Sequence, residues 1–177
     1  MAEIAKIMGK PDEFTALCDL LLEEKGKVTI IVFSMNEEDI RRIMKHPLQM
    51  FGSDSWSITL HPTFTRGKPH PRFYGTYPRV FRKYVREEGL LTLEEAIRKM
   101  TSFPAGKFRI KDRGLLKPGM WADIVVFNPK KIMDKATYQD PHQYPEGIKY
   151  VIVNGEVVIE DGEHIGSLPG KILHLND

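Results

Sequence analysis

Asp54 sits in the run Gly52-Ser53-Asp54-Ser55. A carboxylate held in such a turn can take a proton from a metal-activated water and return it to a leaving amine. An Asp in a Gly-Ser-Asp run also serves as an ordinary turn cap, and local sequence leaves both roles open. Downstream lie His61, His70, Arg72, Tyr74, Tyr77 and Arg79. An arginine on a loop at that distance can clamp a substrate carboxylate through two parallel hydrogen bonds. His61 and His70 have no partner at metal-ligand spacing and each precedes a proline, so they read as loop histidines rather than ligands. His142, His164 and His174 read as structural or exposed, away from that edge. No metal-ligand set is expected in the chain.

Composition narrows the function classes. The chain has 177 residues, 41% hydrophobic and 28% charged, which suits a globular protein. A net charge of +2, with basic and acidic residues interspersed, provides no stripe for tracking phosphates, which argues against a nucleic-acid partner. The single cysteine, Cys18, excludes an internal disulfide and a Cys-based zinc site; on an apolar helix face it reads as a small buried hydrophobe. No apolar stretch approaches the ~20 residues of a bilayer span. With no h-region at the N-terminus, a cytoplasmic protein is expected.

The elements that must position Asp54 and Arg72 follow from periodicity. From Asp12, residues Phe14, Leu17, Cys18, Leu21 and Leu22 fall at helical spacing, with Gly26 as the stop. Residues 28–33 form a continuous β-branched and aromatic run, the pattern of a strand covered on both faces. Ser34 and Glu37 form a Ser-x-x-Glu capping box ahead of a helix with Ile40, Ile43 and Met44 on one face. Met50 and Phe51 form a short strand that delivers Asp54. This helix–strand–helix–strand order predicts a parallel α/β layer. Residues 56–88 lack sustained periodicity and are expected to form a long active-site loop. Thr92 and Glu95 make a second capping box before Leu93, Ala96, Ile97 and Met100, and Pro104 closes that helix. From Gly114 the pattern becomes β. A Pro-Gly turn opens a buried strand at 124–127, Asn154-Gly155 joins strands 150–153 and 156–159, and Asp161-Gly162 makes another turn. Two regions are expected, 1–110 as α/β and 111–177 as a β-module.

Five stretches carry a family resemblance: Val32-Phe33-Ser34-Met35-Asn36-Glu37-Glu38-Asp39; Phe51-Gly52-Ser53-Asp54; His70-Pro71-Arg72-Phe73-Tyr74-Gly75-Thr76-Tyr77-Pro78-Arg79-Val80; Lys117-Pro118-Gly119-Met120-Trp121-Ala122-Asp123; and Asp140-Pro141-His142-Gln143-Tyr144-Pro145-Glu146-Gly147-Ile148. With these, residues 20–173 resemble the D-aminoacylases, the N-acyl-D-amino-acid deacylases of the amidohydrolase superfamily. The resemblance implies the C-terminal fragment of a TIM-like (β/α)₈ barrel, about two βα units, plus a small β-rich module. It implies zinc-assisted amide hydrolysis, with Asp54 as the catalytic aspartate and Arg72 as the contact to the substrate carboxylate. The family's His-x-His, bridging cysteine and two later metal histidines belong to strands this chain lacks, and Cys18 does not match that cysteine. The spacing between Asp54 and Arg72 is longer than the family's, and a Ser follows the aspartate where Gly is common. Zinc is therefore expected in the complete enzyme and not in this chain alone. The expected partner is a second chain carrying the N-terminal barrel half, or further copies of this one, because cut barrel strands leave open edges. Two other readings remain: a catalytically inert oligomeric or binding remnant, and an amidohydrolase acting on a cyclic amide or dipeptide.

Overall fold

The computed structural model describes residues 1–30, 32, 34–59 and 67–174. The chain divides into two compact units, Met1–Glu37 and Glu38–Asp177. In the first, α1 (Ala2–Ile7) packs against α2 (Glu13–Glu23). Asp12 starts α2 as expected, its carboxylate accepting the Thr15 backbone N–H at 2.8 Å. At the far end Gly26 (φ 74°) donates its N–H to the Leu21 carbonyl at 2.8 Å. The apolar face of α2 is left open: Phe14 and Leu22 are 74% and 76% exposed, and Cys18 is half-buried rather than buried.

The parallel strands expected ahead of Asp54 do not form among the described residues. Residues 28–30 and 32 are irregular, and Ile31 and Phe33 lie outside the described residues. Met50 and Phe51 are irregular too, with the Phe51 N–H donating to the Lys99 carbonyl at 3.3 Å. A β-branched run becomes a parallel strand only when neighbouring strands bond both of its edges. The described residues offer these runs no such neighbours.

Helix α3 (Glu37–Lys45), which belongs to the second unit from Glu38 onward, leads to the Asp54 segment. The region 56–88, expected as loop, is helical over its second half: α4 (Arg72–Arg79) continues as a π-helical segment, Val80–Glu87. Pro78 lies inside α4 and has no N–H to return to the preceding turn, and the wide turns begin two residues later. Gly75, Pro78, Phe81 and Tyr84 recur every third residue, a buried stripe hidden in the sequence by its Gly and Pro members. Helix α5 (Leu93–Met100) begins with Thr92 Oγ1 accepting the Glu95 N–H at 3.2 Å. The Glu95 carboxylate completes no box; it binds Arg98 Nε at 2.7 Å. Pro104 does not close α5. It falls in the first turn of α6 (Ser102–Lys107), where a missing N–H costs nothing.

The sheet is antiparallel, in the order β1 (Ile124–Phe127), β2 (Ile148–Val153), β3 (Glu156–Glu160), β4 (Glu163–His164). Val125 faces Val151 and Val151 faces Ile159. Asn154 (φ 51°) and Gly155 (φ 87°) form the expected primed turn, and Asp161 (φ 47°) with Gly162 (φ 88°) repeats it. Strand β1 is not the buried strand expected, for Val125 and Val126 are 53% and 42% exposed. The core of this unit joins Val80, Phe81, Tyr84, Leu91, Ala96 and Ile132, with Ile40, Met44, Phe51, Phe127 and Ile148 against it. It thus draws on residues from both the 1–110 and the 111–177 regions. None of the described helices is long and apolar enough to cross a membrane.

Gly147 marks where backbone meets backbone. A Cβ there would lie 2.5 Å from the Ile132 nitrogen and 2.6 Å from its Cα, at φ +87°. Gly147→Ala is expected to lower unfolding free energy by about 3 kcal/mol in urea titration. Gly155→Ala has the same φ but nothing within 4 Å of the new Cβ, so it should cost about 1–2 kcal/mol. Equal losses would contradict the close approach.

Candidate active site

Asp54 lies in an irregular segment with φ +48°, a left-handed conformation that Asp tolerates better than most residues. The Ser55 hydroxyl donates to Ser53 Oγ at 2.8 Å, and the Trp56 ring meets Phe73 edge-on, centroids 4.6 Å apart. That contact brings the Asp54 segment against the start of α4, whose first residue is Arg72. There Arg72 Nη2 and Asp54 Oδ2 lie 2.9 Å apart. The two side chains singled out by sequence therefore meet as an ion pair. Asp54 is largely exposed, and among the described residues Arg72 Nε is buried without a hydrogen-bond partner. An exposed pair is weak and easily exchanged. The guanidinium has donors left for an incoming acceptor.

A second set of contacts holds the approach to Arg72. His70 Nδ1 accepts the Arg72 backbone N–H at 3.1 Å, and His70 Nε2 lies 3.0 Å from Tyr138 Oη. His142 Nε2 lies 3.0 Å from the Gly67 carbonyl, and its Nδ1 lies 3.2 Å from Tyr74 Oη. Lys68 Nζ donates to the Gln139 carbonyl at 2.9 Å. His142 is thus not remote from this edge, as its sequence position suggests; it is bonded to the stretch that carries Arg72. Sequence does not single out Tyr138 or the His142 contact because each lies 68 positions from its partner, where no local period reports a contact. The one available clue is the 140–148 stretch of the family resemblance, which the sequence pattern places in the β-module alone.

Burial, with Arg72 and then Arg79 nearby, holds the His70 pKa below its usual 6.5. The unfolded chain therefore binds this proton more readily. His70 contributes stability above pH 6.5, and that contribution is lost as pH falls through the lower folded value. Burial, followed by Tyr144, raises the Tyr74 pKa, so its hydroxyl keeps its proton. Arg79 is occupied elsewhere: with Arg82 it binds Asp134, at 3.5 and 2.7 Å. His164 and His174 are exposed. His61 lies outside the described residues.

Catalytic zinc needs about three protein ligands. Among the described residues no group of three His, Cys, Asp or Glu side chains could hold a metal ion. The donors beside Asp54 are a guanidinium and two hydroxyls, a set that does not fit zinc.

Residues 7–159 match the model of the amidohydrolase family. The chain is 43% identical over 143 residues to the N-acyl-D-glutamate deacylase of Alcaligenes xylosoxydans xylosoxydans, covering 81% of this chain and 28% of that protein. It superposes on the crystal structure of a D-aminoacylase with TM-score 0.75 and 39% identity, over 93% of this chain and 32% of that one. It also superposes on the N-acyl-D-glutamate deacylase of Bordetella bronchiseptica, solved with zinc and a phosphonate mimic of the tetrahedral intermediate. There the TM-score is 0.73 and the identity 40%, over 89% of this chain and 30% of that one. The chain thus spans under a third of the length of these relatives.

Proposed function

The chain belongs to the amidohydrolase family, and on that premise we propose that it is the C-terminal part of a zinc-dependent hydrolase that removes the acyl group from N-acyl-D-amino acids. The observation that carries this reading is the 2.9 Å meeting of Asp54 with Arg72. A general base and a carboxylate receptor stand side by side, as hydrolysis of a substrate with a free carboxylate requires.

The substrate carboxylate replaces Asp54 on the Arg72 guanidinium, taking the unpartnered Nε as well. Asp54, released, accepts a proton from the attacking water and gives it to the leaving nitrogen as the amide breaks. In the complete enzyme zinc supplies Lewis-acid chemistry, held by residues outside these 177. Asp54 and Arg72 bind, orient and move the proton.

In this reading the runs at 28–30 and 50–51 find barrel neighbours in an N-terminal barrel half, supplied by a second chain. Exposed apolar surface supports a partner: Ile30 and Val32 are 72% and 67% exposed, on a run that a barrel would bury. The test is to mix this chain with a polypeptide bearing the paired-histidine segment of a related deacylase and follow release of the free D-amino acid. Activity in the mixture supports the reading. A well-folded complex without activity overturns it and leaves the inert remnant.

A further inference from the structure

His70 ties the substrate receptor to a fixed surface loop. Its Nδ1 accepts the Arg72 N–H at 3.1 Å and so carries no proton. The ring's single proton then sits on Nε2 and is donated to Tyr138 Oη, 3.0 Å away. The Arg72 N–H belongs to the first turn of α4, where backbone donors lack intrahelical acceptors. His70 supplies the one that Arg72 needs.

Tyr138 stands on a loop that is pinned from within. Thr137 and Asp140 exchange hydrogen bonds, the Thr137 N–H to the Asp140 carbonyl at 3.0 Å and the Asp140 N–H to Thr137 Oγ1 at 2.9 Å. Gln143 Nε2 binds the Lys135 and Asp140 carbonyls at 3.1 and 2.9 Å, and Pro141 is fully buried. Tyr138, Gln139 and His142 hydrogen-bond this loop to 67–74, and the contact at His70 leads to the backbone of Arg72 itself.

We propose that His70 is a positioning residue for Arg72, and that Tyr138 fixes the tautomer it needs. This rests on the assignment of Arg72 as the carboxylate receptor, but the hydrogen-bond relay is testable without turnover. Protonation of His70 would set a donor against the Arg72 N–H, with the Arg72 and Arg79 cations already near and Asp54 ion-paired to Arg72. The lowered His70 pKa agrees with a ring kept neutral.

Two substitutions separate the ring nitrogens. His70→Asn keeps an acceptor near the Nδ1 position and loses the Tyr138 contact; His70→Gln reaches the Nε2 position and loses the Arg72 acceptor. In this chain alone, nitrogen NMR should show the neutral His70 ring carrying its proton on Nε2. Exchange of the Arg72 amide should quicken about tenfold in His70→Gln and less in His70→Asn. In the active mixture, His70→Gln should raise KM about tenfold with kcat little changed, and His70→Asn should restore most of the loss. A proton on Nδ1, or Arg72 exchange unaltered in His70→Gln, overturns the proposal whether or not the mixture is active. Inactivity of a folded mixture with the relay intact would instead count against the deacylase reading.

Discussion

Replacing Asp54 with Ala in the reconstituted enzyme is expected to lower kcat by about 10²–10⁴-fold while leaving folding untouched. The carboxylate is 88% exposed and pairs with one exchangeable arginine, so the fold loses little when it goes. In the proposed reaction its role is harder to replace, because Asp54 is the carboxylate that pairs with Arg72 among the described residues. Asp54→Asn retains the shape and removes the base, and should be nearly as inactive. If either variant kept kcat within threefold of the parent, Asp54 would be a turn residue and no more.

Arg72→Met should act on the other kinetic parameter. It removes the charged hydrogen bonds to a substrate carboxylate, and KM for an N-acyl-D-amino acid is expected to rise about 10- to 100-fold. The same change should scarcely alter KM for a substrate whose carboxylate is an amide. A substrate-independent loss would mean that Arg72 holds the Asp54 segment and does not receive the substrate. The ion pair makes this separation necessary, because Arg72 lies 2.9 Å from Asp54.

Much of the local structure was legible because it is dictated within a few residues. Asp12 could be read as the start of a helical segment, Asn154-Gly155 as a primed turn and Thr92 as a helix start, since each acts through its own backbone neighbours. Asp54 stood out as a candidate from its turn, and the family resemblance picked Arg72 from the residues after it; their closure to an ion pair was not legible. The 28–33 run misled for a physical reason: its β-branched residues report what they would do between neighbouring strands, and the described residues provide none. The 72–87 helix was hidden because Gly75 and Pro78, poor helix residues in isolation, lie on its buried face against Asp134 and the core. The Tyr138 and His142 contacts depend on residues far apart in sequence, and nothing local announces them.

Zinc analysis of the purified chain tests the central claim most directly, since that claim separates the proton-transferring carboxylate from the residues that hold the metal. Well under one zinc per chain is predicted after dialysis, rising only when the polypeptide with the paired histidines is present. One tightly held zinc per chain in the isolated protein, lost on replacing Asp54, would contradict it.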